Sequence, residues 1–330
     1  MRKSVVTCGI DVSSKKLDVC TETGTDRKSG RFENTPTGHK KLIAHLTQKG
    51  RCARVAVEAT GIYSFELCMA LHRARRIEVM VVNPRSSSDF AKALMKRSKT
   101  DVTDAETLLE YLKRMPFVEW TAPSGEVIEL QRITRLLRVQ VIARTQETNR
   151  LHATRRLQGS EAIQAELQRH IDFLDESSQR LRDLALAIVA AAPELDQMFH
   201  HLTSLKGIAI ASGLTLVAEL ACLPEDMGAR QWVAHAGLDP RHMESGTSVR
   251  GKARISKIGN VHLRAALYMP ALVAIRHEPS VRSFYHKLIG RGKPAMVAIV
   301  AVMRKLLHAL HGMLRTNTDF DGAKFHAVGP

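Results

Sequence analysis

The stretch Ser4-Val5-Val6-Thr7-Cys8-Gly9-Ile10-Asp11-Val12 decides the fold. It is a short apolar run with Gly9-Ile10-Asp11 at its end, so a carboxylate stands where the strand finishes. Two more extended segments follow, Leu17 to Thr21 and Gly30 to Glu33. The links between them, Ser13-Ser14-Lys15-Lys16 and Gly24-Thr25-Asp26, carry turn chemistry. The three segments therefore predict a meander of antiparallel strands.

Working outward, Thr37 to Lys49 has the helical spacing of Leu42, Ile43 and Leu46. Arg54 to Glu58 is a β-branched strand that Gly61 breaks. Tyr63 to Arg75 is helical, Ile77 to Val82 is a strand stopped by Asn83-Pro84, and Asp104 to Lys113 is a helix ended by Pro116. Three strands, then helix, strand, helix, strand, helix is the order of a ribonuclease-H-like mixed sheet. From Gly125 to Ala192 there is no Pro and only two Gly. Ile163, Leu167, Ile171, Leu174, Leu181, Leu184 and Ile188 recur there at heptad-like spacing, which predicts a long helix or helical hairpin. From about Leu202 the chain reads as helical, with Arg264 to Ile275 and Ala295 to Leu314 clearest and Pro270 kinking or splitting the first. The tail after Thr316 reads as loose. The expected class is α/β plus all-α: a mixed-sheet domain over 1–120, a helical connector over 121–200 and a mainly helical domain over 201–330.

The 330 residues carry 49 Lys plus Arg against 33 Asp plus Glu, a net charge of +16 that calls for a polyanionic partner. A membrane surface is the weaker choice, because no run of about 18 uncharged apolar residues exists. The N-terminus has no long apolar core before charge returns, so it does not read as a signal peptide. The five cysteines, Cys8, Cys20, Cys52, Cys68 and Cys222, form no CxxC pair. They read as buried free thiols of a reducing cytoplasm.

Asp11 and Glu58 end two apolar strands. If those strands are parallel neighbours, both carboxylates reach one edge of the sheet. Asp101 and Asp104, three apart at a helix start, share a face. Four converging carboxylates repel unless a divalent cation relieves them, and oxygen-only ligands suit Mg²⁺ or Mn²⁺. Two such ions activate a nucleophile and stabilise a leaving oxygen in phosphodiester chemistry. Singly, each acid is more often structural. Asp101 and Asp104 also favour the positive end of a helix dipole, and Thr103 with Glu106 has a capping-box pattern. Joint placement on this strand order is what points to chemistry.

A second segment, Leu238 to Leu267, is rich in Gly and Ser and holds Arg241, Arg250, Lys252, Arg254, Lys257 and Arg264. Such a loop, leading into a helix, holds phosphates with side chains and backbone N–H groups. A serine hydroxyl among those cations is chemically able to attack a phosphodiester. Composition alone does not separate Ser245 from Thr247, Ser248 or Ser256, and a solvated basic loop is the plainer alternative. The arginines at the start of the helical middle, Arg132 to Arg156, either track phosphates or form a solvated face. His308 and His311 read as core or surface histidines rather than a metal pair.

Gly9-Ile10-Asp11-Val12-Ser13 with Leu17-Asp18-Val19, Glu58-Ala59-Thr60-Gly61, Asn83-Pro84 and Lys99-Thr100-Asp101-Val102-Thr103-Asp104-Ala105 resemble the DEDD transposases of the insertion-sequence one-ten family. Glu244-Ser245-Gly246-Thr247-Ser248-Val249-Arg250-Gly251, Ile255-Ser256-Lys257-Ile258-Gly259-Asn260 and Leu263-Arg264 resemble the family's second domain. The resemblance spans nearly the whole chain with its motifs in order. It implies a RuvC-like N-terminal domain, a coiled-coil connector and a C-terminal domain with a catalytic serine. By motif position, Ser245 takes the nucleophile role, and Asp11, Glu58, Asp101 and Asp104 take the metal-binding role.

The resemblance further implies guidance by a structured bridge RNA that pairs with target and donor DNA, recombination through a phosphoserine, and a homodimer that assembles to a tetramer. Carboxylates and serine then come from different protomers. The expected setting is the bacterial cytoplasm, at the nucleoid when acting. Two rivals stay open: a RuvC or RNase-H-type metal-dependent nuclease that uses water, with Ser245 only binding phosphate, and a decayed protein that binds nucleic acid without chemistry.

Overall fold

The structure is a computed structural model that describes residues 5–95, 101–241, 244–245, 249–250 and 254–326, with side chains at all of these except 101, 102, 244, 245, 249 and 250. It divides into two compact units, Met1–Ala122 and Pro123–Pro330.

The first unit is a five-stranded mixed sheet with helices. Its strands are β1 (Val5–Val12), β2 (Lys16–Thr23), β3 (Asp26–Glu33), β4 (Cys52–Glu58) and β5 (Ile77–Val82), in the order β3-β2-β1-β4-β5. The first three form the expected antiparallel meander. The pairs β1–β4 and β4–β5 are parallel; helix α1 (Pro36–Leu46) carries the chain from β3 back to β4, and α2 (Ile62–His72) is the crossover from β4 to β5. Thr35 caps α1 by accepting from the Gly38 N–H at 3.1 Å, with Pro36 in the first turn. Alternation sorts the strand side chains onto two faces. Val6, Cys8, Ile10 and Val12 pack with Leu17, Val19, Leu42, Leu46, Leu67 and Leu71. On the other face lie α3 (Pro84–Ala93) and α4 (Asp101–Arg114). There Ala56, Met80 and Val82 meet Leu108 and Leu112, while Cys20 meets Ala105 and Leu109.

Gly9 sets the distance between α4 and the sheet. A Cβ there would lie 2.2 Å from the Ala105 carbonyl oxygen and 2.3 Å from the Leu109 nitrogen. Only glycine lets the helix backbone come so close.

The second unit is mostly helical: α5 (Gly125–Arg156), α6 (Glu161–Ala191), α7 (Pro193–Ser204), α8 (Ile210–Leu220), α9 (Ala229–His235), α10 (Val261–Ala266), α11 (Tyr268–His277), α12 (Pro279–Gly290), α13 (Ala295–Thr316) and α14 (Gly322–Phe325). Between α9 and α10 run four two-residue strands, β6 (Pro240–Arg241), β7 (Glu244–Ser245), β8 (Val249–Arg250) and β9 (Arg254–Ile255). The predicted helical middle is the hairpin α5–α6, with Ser124 and Ser160 capping the two helices. Gln140 binds Ser177 and Ser178 across it, each at 2.9 Å. Its buried α6 face is Ile171, Leu174, Ser178, Ala185 and Val189. Ile163 and Leu184 fall outside that face, at 54% and 49% exposure. The heptad spacing drifts relative to the 3.6-residue turn, so Ala185 and Val189 replace Leu184 at the seam.

The strand stop at Asn83-Pro84 is also the start of a helix, α3, with Asn83 accepting from the Arg85 N–H at 2.9 Å. Two other expectations are corrected. Helix α4 begins at Asp101, so Thr103 lies inside its first turn and not at the cap. The tail is packed: Asn317 ends α13 in the left-handed conformation, and Phe325 is buried. The break near Pro270 is real, and it falls at Leu267, between α10 and α11. Helix α13 is long and apolar enough by composition to cross a bilayer. Its Val302, Met303, Leu306, Leu307 and Leu310 instead lie in the core of the second unit.

Candidate functional sites in the two units

The last registered pair of the parallel strands β1 and β4 is Ile10 with Val57. Asp11 and Glu58 are the next residues on each, so they stand side by side at the carboxyl ends of neighbouring strands. Both project toward the α4 face, in the alternation shared with Gly9 and Ala56. Helix α4 runs antiparallel to β1: Ala105 and Leu109 lie at Gly9, and Lys113 reaches Glu22, which stands near the opposite end of the sheet. Its first turn, with Asp101 and Asp104, therefore belongs to the same edge as Asp11 and Glu58. Asp11, Glu58 and Asp104 are all half-buried. The four expected acids thus share one edge.

A fifth carboxylate, Asp18, lies directly across from Asp11 in the antiparallel register. It is 3% exposed. Arg31 binds it at 2.8 and 2.9 Å, and Lys16 stands 3.6 Å away. It is a neutralised carboxylate beside the four.

The donors at this edge are all oxygens, the set that suits a hard divalent cation. The buried Thr60 Oγ1, two residues past Glu58 where the chain leaves the same strand end, has no hydrogen-bond partner. An unsatisfied buried oxygen at the strand end that carries Glu58 fits a site completed by something else. Among the described residues no three His, Cys, Asp or Glu side chains are grouped closely enough to hold a metal ion, so Asp11, Glu58 and Asp104 share the edge without converging on one point. The side chain of Asp101 lies outside that description.

Glu58 has a partner that the sequence did not reveal. The Ser87 hydroxyl lies 2.5 Å from its Oε2. Ser87 sits in the polar run Arg85-Ser86-Ser87-Ser88-Asp89, which has no apolar periodicity. The usable signal was Asn83-Pro84, an N-cap followed by proline at the first helical position.

In the second unit the basic segment is fastened at its base. Asn260 donates from its backbone to His235 at 2.6 Å, Lys257 to Gly237 at 3.1 Å and Ser256 to Asp239 at 2.9 Å. The Ser256 hydroxyl also binds Asp239 Oδ1 at 2.5 Å, which occupies one of the competing hydroxyls. Gly259 holds a φ of +125°, and a Cβ there would meet the His235 carbonyl oxygen at 2.1 Å. Beyond this base, Arg241 and Arg254 face each other across β6 and β9. Both are exposed. Like charges directly opposite one another destabilise a ribbon unless an anion joins them. Ser245 pairs with Val249 in the ribbon β7–β8, and Arg250 is the last residue of β8. The side chains of both lie outside the described residues, as does Lys252 entirely. Lys257 is exposed. Arg264 donates to the Ala236 carbonyl at 2.8 Å, which ties it to the frame of the loop.

Below this loop a buried carboxylate, Glu219, is 1% exposed. Arg135 binds it at 2.8 and 3.1 Å, and Asn260 at 2.6 Å. Burial alone would raise its pKa, but the hydrogen bonds from Arg135 and Asn260 outweigh that and hold it below the ordinary value. Asn260 in turn caps α10 by accepting from the His262 and Leu263 N–H groups. Arg138 donates to the Val261 carbonyl at 3.1 Å. Two arginines read as candidates for phosphate contact are therefore engaged by the protein. His311 binds the Met227 carbonyl and packs edge-on to Trp232, as a core histidine. Cys8, Cys20 and Cys68 are buried free thiols, as expected, whereas Cys52 and Cys222 are free but only half-buried. Burial pushes the Cys68 thiol up to about 12.

Comparison with known proteins gives both units relatives. A family model described as Transposase, of the DEDD type of IS110, matches residues 8–157. A second, described as Transposase IS116/IS110/IS902 family, matches residues 199–286. The first span contains all four acids, and the second contains Ser245. Over 317 residues the chain is 27% identical to the pilin gene-inverting protein of Moraxella lacunata, covering 95% of this chain and 97% of that one. It is 28% identical over 120 residues to an uncharacterized 43.6 kDa protein of insertion element IS110 from Streptomyces coelicolor, covering 36% of this chain and 29% of that one.

Proposed function

Because the chain belongs to the IS110 family of transposases, enzymes that cut and rejoin DNA, we propose that it recombines donor and target DNA with a carboxylate edge and a serine nucleophile. The observation that carries this is the shared edge formed by the ends of β1 and β4 and the first turn of α4. It supports a RuvC-like, ribonuclease-H-like sheet whose Asp11, Glu58, Asp101 and Asp104 hold Mg²⁺ or Mn²⁺. The ion, when bound, stabilises charge on the attacking and leaving oxygens.

Ser245 supplies the nucleophile. Its Oγ loses a proton and forms a bond to phosphorus. One P–O bond of the strand breaks, and the leaving oxygen takes up a proton. The resulting phosphoserine keeps the energy of the diester. A hydroxyl from another strand then attacks the phosphorus and releases the serine, so strands are exchanged without net hydrolysis. Arg241, Arg250, Lys252, Arg254, Lys257 and Arg264 are the proposed backbone-binding set. Arg241 and Arg254 are its best-supported members, since an anion between them relieves an opposed pair of like charges.

The hairpin α5–α6 serves as a coiled-coil connector in a homodimer that assembles to a tetramer, with serine and carboxylates from different protomers. A structured bridge RNA selects the two DNAs. The +16 charge supports polyanionic partners of this size. Incubation with a suicide DNA substrate that traps a covalent protein–DNA adduct tests the serine step. An adduct on Ser245 supports it; hydrolysis with no adduct favours the nuclease alternative, which needs only the first unit's edge. A single short RNA species co-purifying with the protein supports guidance, and its absence removes that part of the proposal.

A further inference from the structure

Glu58 ends β4 half-buried, and its Oε2 lies 2.5 Å from the Ser87 hydroxyl. Ser87 is 6% exposed, whereas Ser86 and Ser88 on either side are exposed. Helix α3 places it there: Asn83 caps the helix, Pro84 starts it, and the Ser87 N–H bonds the Asn83 carbonyl at 3.1 Å. No step of the proposed reaction uses Ser87.

The hydroxyl has a second acceptor in reach. The Pro84 carbonyl lies 2.9 Å away, the usual partner of a serine inside a helix. One hydrogen goes mainly to one of them or is shared unequally between the two. If it went to Pro84, the oxygens of Ser87 and the Glu58 carboxylate would face each other lone pair to lone pair at 2.5 Å. Donation to the carboxylate removes that repulsion and makes a short charge-assisted bond. The carboxylate is therefore the principal acceptor, with the Pro84 carbonyl as the second.

We infer that Ser87 is a positioning residue for Glu58. By engaging Oε2 it stops the carboxylate from rotating and leaves Oε1 as the oxygen available to a cation. The pattern is that of an outer hydrogen-bond partner that orients a ligating carboxylate. It rests on the proposal that Glu58 binds the metal, and it adds a residue from a helix outside the acidic motifs.

Direct Mn²⁺ binding to the purified full-length protein, followed by electron paramagnetic resonance, tests the inference alongside Mg²⁺ titration of recombination. Ser87→Ala is expected to weaken Mn²⁺ binding by roughly 10- to 100-fold. Ser87→Cys, which keeps the volume but donates weakly, covers the case in which the alanine variant does not fold, and the same direction of loss is expected. Ser87→Thr keeps the hydroxyl and is expected to restore binding. Glu58→Gln serves as the reference. If Glu58→Gln loses Mn²⁺ while folded Ser87→Ala and Ser87→Cys bind it as the unmodified protein does, the role of Ser87 is overturned. If Glu58→Gln itself binds Mn²⁺ unchanged, the assignment of Glu58 as a ligand falls, and the role of Ser87 falls with it.

Discussion

Asp11 and Glu58 are lateral neighbours on two parallel strands, one residue beyond the pair Ile10 and Val57. Their side chains project at the ends of the strands and contribute little to the core. Asp11→Ala and Asp104→Ala are therefore expected to leave the circular dichroism spectrum and melting temperature nearly unchanged. Strand exchange should fall by about a hundredfold or more, as for loss of a metal-holding carboxylate. Chelation with EDTA should reproduce the loss, and added Mn²⁺ should reverse it. Full recombination by either variant would remove that acid from the site.

Ser245→Ala is expected to abolish strand exchange and covalent adduct formation while leaving binding to nucleic acid intact. Electrophoretic mobility shift and adduct trapping on the same preparation separate the two effects. Full recombination by this variant would end the serine assignment.

Gly9→Ala tests the approach of α4 to the sheet. The new Cβ meets backbone atoms at 2.2 and 2.3 Å, which cannot swing aside as a side chain can. The helix must shift, at a cost of about 1–3 kcal/mol or more. Denaturant titration measures the loss. Activity should fall further than the stability loss accounts for, because the shifted helix carries Asp101 and Asp104 in its first turn.

Arg135→Ala leaves Glu219 buried without its main counter-charge and is expected to cost about 3 kcal/mol. Arg135 is 43% exposed, and solvent screening keeps the cost toward the low end. Replacing both, as Arg135→Met with Glu219→Leu, should recover most of it. The folded pKa of Glu219 lies below its ordinary value of 4.5. Its contribution is thus present above 4.5 and is lost as pH falls through the folded value. Acid titration of stability should show this loss in the unmodified protein and not in the double variant.

His201 ties down the tail in the opposite pH sense. Its Nδ1 lies 2.7 Å from Asp319 Oδ1 and its Nε2 2.9 Å from Asn317 Oδ1. The bond to Asp319 chiefly raises its pKa above 6.5. The contribution is complete below 6.5 and fades as pH rises through the folded value. Hydrogen exchange at the Phe320 amide, which donates to Ser204, should quicken in that alkaline range. Asp319→Asn should remove most of the pH dependence.

What the sequence made legible follows from periodicity. Ser4 to Val12 is so apolar, and Arg54 to Glu58 so rich in β-branched residues, that their carboxylate ends were visible before any coordinates. Ile77 to Val82 was bounded to the residue. Ser87 was hidden because it is one serine in a polar run, buried beside Glu58 with no apolar pattern to mark it. Leu184 misled because leucine at heptad spacing looks like a seam, whereas alanine and valine one position on make the contact. Phe325 lies in a short polar tail, and its burial comes from tertiary packing alone. Arg135 and Arg138 look like any exposed basic residues until Glu219 and Val261, more than eighty residues away, are brought beside them.

The zipper from His235 and Asn260 up to Arg241 and Arg254 makes the loop between those arginines a graft site. Its ends are spaced and held by residues outside it. Lengthening such a closed loop costs only about 0.6 kcal/mol for each doubling. Insertions or exchanges there leave the helical core and its caps undisturbed. Changes in that loop therefore act on the chemistry proposed for Ser245, while changes at Gly259, Asn260 or Asp239 act on the frame beneath it.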